Sequence, residues 1–98
     1  MAVTGASGMV YAVDLLAVLG AAGVHTHLVV TAGAKRVIPT ELDGGLAALT
    51  GLASEVHKDS DSGAPIASGS HRFGAMVIVP CSAGTLAKVA RGMTDNLT

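Results

Sequence analysis

The chain has 98 residues, enough for one domain, and half of them are hydrophobic although one is Phe, one is Tyr and none is Trp. Its formal net charge of −1 and its scattered basic residues exclude the basic surface of a nucleic-acid-binding protein. No apolar run approaches the ~20 residues that span a bilayer. The single cysteine excludes an internal disulfide and favours a reducing compartment, so we expect a cytoplasmic protein.

The first third of the sequence predicts a strand, a turn and a helix. Residues 1–4 are typical of the end of a strand, and Gly5-Ala-Ser-Gly8 is typical of a tight turn. A helix is predicted over residues 9–22, with Gly23 ending it in the left-handed conformation. The apolar stripe of this helix consists of Met9, Val13, Leu16 and Gly20.

The middle of the sequence predicts a second strand over residues 25–31 and a helix over 32–38 that stops before Pro39. A short helix over 45–53 and a brief strand over 55–57 follow.

The last third predicts a loop over residues 58–70, a strand over 75–80 and a helix over 83–91. Residues 75–80 are apolar on both faces, which is typical of a central parallel strand. The order of these elements predicts an α/β fold with a doubly wound parallel sheet. This is a Rossmann- or flavodoxin-like three-layer domain over 1–98 that stops after its fourth strand–helix unit.

Charged residues make up only 13% of the chain, so we expect a homo-oligomer that buries apolar surface between copies.

The turn Gly5-Ala-Ser-Gly8 leads from a strand into a helix. The free N–H groups of that helix and the Ser7 hydroxyl suit a phosphate; the alternative is a plain turn in which Ser7 caps the helix. The turn is not Gly-x-Gly-x-x-Gly, and the second strand ends in Thr31 rather than an acidic residue. Both departures disfavour a dinucleotide and leave a mononucleotide such as FMN possible.

A second strand-to-helix turn, Pro80-Cys-Ser-Ala-Gly-Thr85, is also rich in small hydroxyl residues. If the first and fourth strands are neighbours, the two turns lie side by side at the crevice where open α/β sheets bind ligands. Two capped helices without a ligand are the alternative.

Other polar residues carry weaker signals. Cys81 follows an apolar strand, so we expect a buried structural thiol. His25 and His27 share one face of a strand, but no third ligand is evident nearby, so we assign no metal. Glu41, considered alone, is typical of a solvated carboxylate. Residues 68–70 either bind a second anion or form a turn.

Five segments in this order resemble the flavin prenyltransferases, the UbiX/Pad family. Four match well and one loosely: Thr4-Gly-Ala-Ser-Gly8, Ala67-Ser-Gly-Ser70, Val79-Pro-Cys-Ser-Ala-Gly-Thr-Leu86, Thr94-Asp-Asn-Leu97 and, loosely, Pro39-Thr-Glu-Leu-Asp43. The resemblance implies that reduced FMN binds beside dimethylallyl phosphate and is alkylated at N5, with a fourth ring closed at C6. The prenylated FMN would serve a UbiD-type decarboxylase, so the flavin is a substrate.

The resemblance also implies roles for individual residues. Ser7 and Glu41 match positions of catalytic residues. The residues implied to bind FMN are Gly5, Ala6, Ser7, Thr31, Ser82, Ala83, Gly84 and Thr85. The residues implied on the prenyl-phosphate side are Ser68, Gly69 and Ser70. The family continues beyond the match with a second half that supplies Lys, Arg and Tyr to the prenyl phosphate.

Two other functions remain open. One is an FMN-dependent decarboxylase acting on a peptidyl or pantothenoyl cysteine, a relative that has a catalytic His after its first turn. This chain has Met9-Val-Tyr11 there, which disfavours that function. The other is a non-catalytic FMN-binding subunit of an assembly.

Overall fold

Parallel strands alternate with helices in the computed structural model, which describes residues 1–60 and 74–92. The strands are β1 (Ala2–Val3), β2 (His27–Val30) and β3 (Glu55–Lys58), in the order β1-β2-β3. The helices are α1 (Met9–Ala21), α2 (Ala32–Glu41), α3 (Ala47–Thr50) and α4 (Ala83–Arg91). None of the helices in these two ranges has the length and apolar character needed to span a bilayer.

Residues 77–80 lie beside β1, on the side away from β2. Ala2 and Ile78 form a parallel bridge, and Ala2 exchanges hydrogen bonds with the Val77 carbonyl at 2.8 Å and the Val79 N–H at 2.9 Å. The chain thus returns to the other side of its first strand, so the condition that the first and fourth strands be neighbours is met, in agreement with a doubly wound fold.

The predicted strand over 75–80 is wrong in its extent, because only a single bridge forms there. β1 is two residues long, and past Val79 the pairing continues as the Thr4 N–H donating to the Pro80 carbonyl at 3.1 Å. Met76 and Val77 are exposed, unlike residues of a central strand.

The core lies on one face of the sheet, beneath α1, α2 and α3. Val3, Leu28 and Val30 point to this face because side chains alternate along a strand. The helices contribute Met9, Ala12, Leu16, Ala34, Ile38 and Leu49. The predicted stripe of α1 is right at Met9 and Leu16, whereas Val13 is half-buried and Gly20 is exposed.

Two helix boundaries differ from the predictions. α2 continues through Pro39 to Glu41, because Ile38 is fully buried and the Leu42 N–H bonds the Ile38 carbonyl at 2.8 Å. α3 is shorter than predicted, because Gly45, with a φ of 61°, precedes it. Gly23 ends α1 as predicted, with a φ of 76°. Most of the predicted loop, residues 61–70, lies outside the described residues.

Candidate functional site

The Thr4 side chain joins the two turns that were predicted to bind a ligand. Its Oγ1 donates to the Pro80 carbonyl at 2.6 Å and accepts from the Ser82 N–H at 2.7 Å. Thr4 is buried at the end of β1, so both turns lie side by side at the carboxyl edge of the sheet. Thr4 was not among the predicted site residues, although a polar residue at the end of a buried strand is a signal that could have identified it.

The second turn leads into an α4 whose first residues face solvent. Ser82 is the N-cap, with its Oγ accepting from the Thr85 N–H at 3.2 Å and donating to Thr85 Oγ1 at 2.9 Å. Ala83 and Gly84 are exposed, and first-turn N–H groups have no partner within a helix. This helix end therefore offers N–H donors, a hydroxyl and a positive dipole to an anion.

The first turn is organised differently, because the side chain that caps α1 comes from α2. Glu41 Oε1 accepts from the N–H groups of Gly8 at 2.9 Å and Met9 at 3.3 Å. Its Oε2 accepts from the Ser7 hydroxyl at 3.5 Å. Gly8, the N-cap, has a φ of 108°, in the left-handed region that favours glycine. Ser7 is therefore not the cap, and Glu41, although exposed, is not an isolated solvated carboxylate.

The Glu41 contact divides the edge into two chemically different halves. A carboxylate already occupies the amino end of α1, so a phosphate at the same place would meet like charge. Within residues 1–60 and 74–92, the Ser82 N–H and hydroxyl at the amino end of α4 bond to the hydroxyl groups of Thr4 and Thr85 and not to a carboxylate. An anion is favoured at α4, and a proton acceptor is held at α1.

The amino end of α2 also lies at the carboxyl edge of the sheet. Thr31 is its N-cap, with Oγ1 accepting from the Ala34 N–H at 3.1 Å. Gly5 packs so closely on Gly33 that a Cβ on Gly5 would lie 2.9 Å from the Gly33 carbonyl carbon. The Arg36 guanidinium lies beside the same contact, 3.7 Å from the place of a Cβ on Gly33. Arg36 was not among the predicted site residues. It lies about one helical turn after Gly33, which places its guanidinium near the start of α2.

The remaining predicted residues fall into three groups. Ala6 makes the tight turn, donating its N–H to the Thr4 carbonyl at 2.8 Å. Cys81 is exposed, so the expectation of a buried thiol is wrong: the strand that was to bury it is only a bridge. Ser68, Gly69 and Ser70 lie outside the described residues.

The sequence profile of the Flavoprotein family matches residues 1–98. A flavin prenyltransferase UbiX of Deinococcus radiodurans is 60% identical over 95 residues, covering 97% of this chain and 49% of that protein. The flavin prenyltransferase UbiX of Thauera aromatica is 47% identical over 94 residues, covering 96% and 48%. The chain thus spans about half the length of the curated relatives it matches.

Two solved structures superpose on almost the whole chain. One is a UbiX protein, PadA1, in complex with FMN and dimethylallyl pyrophosphate, with a TM-score of 0.94, 40% identity, and 98% of this chain and 51% of that chain covered. The other is a dodecameric FMN-dependent UbiX-like decarboxylase from Escherichia coli O157:H7, with a TM-score of 0.92, 38% identity, and 98% and 52% covered. These relatives confirm the resemblance to the flavin prenyltransferases and the predicted fold. Because the family profile matches all 98 residues, the chain belongs to the Flavoprotein family.

Proposed function

We propose that the protein is a flavin prenyltransferase, which joins dimethylallyl phosphate to reduced FMN at N5 and C6. Residues 1–98 are, in this proposal, its single flavoprotein-type α/β unit. The observation that carries the proposal is the pairing of the exposed, Ser82-capped amino end of α4 with the Glu41 carboxylate, which Ser7, Gly8 and Met9 hold at the neighbouring turn. The flavin prenyltransferases from Deinococcus radiodurans and Thauera aromatica support it by sequence.

The FMN phosphate is assigned to the amino ends of α4 and α2. Thr85 and the N–H groups of Ala83 and Gly84 would donate to it, and the Ser82 hydroxyl would turn its proton from Thr85 Oγ1 to the phosphate. The Thr31 hydroxyl keeps a proton to donate while it accepts from Ala34. The Gly5–Ala6 turn would lie against the flavin, because residues without bulk let the backbone approach a ligand closely.

The reaction forms two bonds to the flavin. N5 would bond to the allylic carbon as the phosphate leaves with the bonding electrons, and N5 would lose its proton. The remaining double bond would then take up a proton, C6 would bond to the resulting tertiary carbon, and C6 would release its own proton. Glu41 is assigned to accept this proton, and Ser7, which donates to Glu41 Oε2, is assigned to orient the carboxylate. Ser68, Gly69 and Ser70 are assigned to the prenyl-phosphate side.

The proposal extends to partners and location. Homo-oligomerisation is supported by the exposed apolar side chains of Val77, Leu86 and Val89 and by the dodecameric relative. Delivery of prenylated FMN to a UbiD-type decarboxylase follows from the chemistry of the product. A cytoplasmic location is supported by Cys81, an exposed free thiol that suits a reducing compartment.

FMN binding tests this assignment through Ser82. We expect Ser82→Ala and Ser82→Gly each to weaken FMN binding by about 1 kcal/mol or more, at least about fivefold, because both remove the hydroxyl donor. Only Ser82→Ala should cost helix stability, since Gly replaces an N-cap Ser with little loss. Isothermal titration with FMN and urea unfolding of the full natural protein measure the two effects.

The glycine variant separates the two roles of Ser82. If Ser82→Gly binds FMN as tightly as the wild type, Ser82 only caps α4, and the phosphate does not bind there. If the wild-type protein is folded and binds no FMN, the proposed function is wrong.

A further inference from the structure

Three imidazoles and one carboxylate meet at the amino edge of the sheet, opposite the flavin edge. His27 and Glu55 are register partners across β2 and β3, and Val29 pairs with His57. His27, Glu55 and His57 therefore lie on one face of the sheet, and His25, just before β2, packs its ring edge-on against His27. His27 is four residues before Thr31, about 13 Å along an extended strand, so the cluster is separate from the proposed flavin site.

The donor atoms of this cluster are already close together. His25 Nε2 lies 2.7 Å and His27 Nδ1 lies 3.5 Å from Glu55 Oε2. His25, His27 and Glu55 each offer one ligand atom, and these atoms all lie within 4.8 Å of one another. Ligands around tetrahedral Zn²⁺ are about 3.3 Å apart, given bonds of about 2.0–2.1 Å. A zinc ion could thus bind among these three side chains, in place of the protons that hydrogen-bond them, by movement of the side chains alone.

Glu55 is the third ligand, which is not evident from the sequence around His25 and His27. Glu55 is 30 residues from His25 in the sequence, and the parallel register of β2 and β3 brings it to the pair. His57 lies beside this group on the same strand as Glu55: its ring stacks on His27 at 23°, and its Nε2 lies 3.0 Å from His27 Nδ1. An ion on His27 Nδ1 would take the place of that hydrogen bond, and the stacked His57 ring would still hold the His27 ring in position.

We propose that His25, His27 and Glu55 form a binding site for one Zn²⁺ ion, with the His57 ring stacked on His27. Two imidazoles and one carboxylate are borderline donors that suit Zn²⁺ and do not suit Mg²⁺ or Ca²⁺, which take oxygen ligands. Glu55 and His25 are exposed, so the ion can enter from solvent and keep water at its open position. The bound ion would join the amino ends of β2 and β3.

Zinc titration of the chelator-treated full natural protein tests the site, at one fixed pH near neutrality and without flavin. We expect one Zn²⁺ per chain with a Kd of about 1 µM or tighter. Co²⁺ in its place should give the intense visible absorption of a tetrahedral site. Glu55→Gln and His25→Gln keep polar side chains at exposed positions, and each should weaken Zn²⁺ binding at least about tenfold.

Two variants serve as controls. Cys81→Ser removes the one thiol, at the opposite edge of the sheet, and Asp43→Asn removes an exposed carboxylate outside the cluster; neither should change Zn²⁺ affinity. Absence of binding up to millimolar Zn²⁺ would overturn the proposal. So would wild-type affinity in both Glu55→Gln and His25→Gln, since the ion would then be bound elsewhere.

Discussion

Replacing Glu41 with Gln is expected to lower the rate of prenyl transfer by roughly 10²–10⁴-fold, the scale for loss of a general acid or base. Gln keeps the carbonyl oxygen that accepts from the N–H groups of Gly8 and Met9, but it cannot take up a proton. FMN affinity should barely change, because the proposal assigns Glu41 to chemistry and the phosphate to α4. Steady-state turnover with reduced FMN and dimethylallyl phosphate, together with FMN titration, measures both quantities.

Asp43→Asn is the matched control, since it removes another exposed carboxylate two residues away and should leave turnover unchanged. Loss of one helix-end charge should cost Glu41→Gln no more than about 1 kcal/mol of stability. Near-wild-type turnover in Glu41→Gln would reduce Glu41 to a helix cap. If Glu41→Gln instead weakened FMN binding and left the turnover of the FMN-bound protein unchanged, Glu41 would have a structural role and not a catalytic one.

Replacing Gly5 with Ala is expected to lower the free energy of unfolding by about 1–3 kcal/mol, the usual cost of overpacking. The new Cβ would lie 2.9 Å from the carbonyl carbon and 3.1 Å from the Cα of Gly33. Both are backbone atoms, so β1 and the start of α2 would have to separate. FMN affinity should fall with stability, because this contact positions the first turn. Urea unfolding of the full natural protein measures the change.

Two other glycines make this prediction specific. Gly33→Ala lies across the same contact, but its Cβ would be 3.5 Å from Gly5 Cα, an ordinary van der Waals distance, so little loss is expected. Gly20→Ala, in α1, meets nothing within 4 Å and should stabilise the protein by about 0.5–1 kcal/mol through helix propensity. Equal stability of Gly5→Ala and Gly33→Ala would contradict the close packing.

Local sequence signals predicted the elements that depend on local causes. The helix over 83–91 and the left-handed Gly23 both match the structure, since a hydroxyl N-cap and a C-terminal glycine act within a few residues. The doubly wound parallel order was also predicted, because few topologies suit this element order, and the site prediction depended on the first and fourth strands being neighbours within it.

Long-range contacts explain where the predictions failed. Pro39 indicated a helix end, yet the burial of Ile38 and the bonds from Glu41 to α1 continue α2 past it. Spacing could not reveal that Glu41 caps a helix that starts 32 residues earlier. The role of Thr4 likewise depends on Ser82, 78 residues away. Each of these contacts exists only once the strands have paired.

The central claim is that this protein prenylates flavin, and the mass of the flavin it releases tests that claim most directly. The full natural protein is incubated without oxygen with reduced FMN and dimethylallyl phosphate, and the released flavin is analysed by mass spectrometry. The account predicts a flavin heavier by one five-carbon prenyl unit, formed with an equal amount of inorganic phosphate. Unchanged FMN, recovered from protein shown to bind both substrates, would contradict it and indicate a non-catalytic flavin-binding protein.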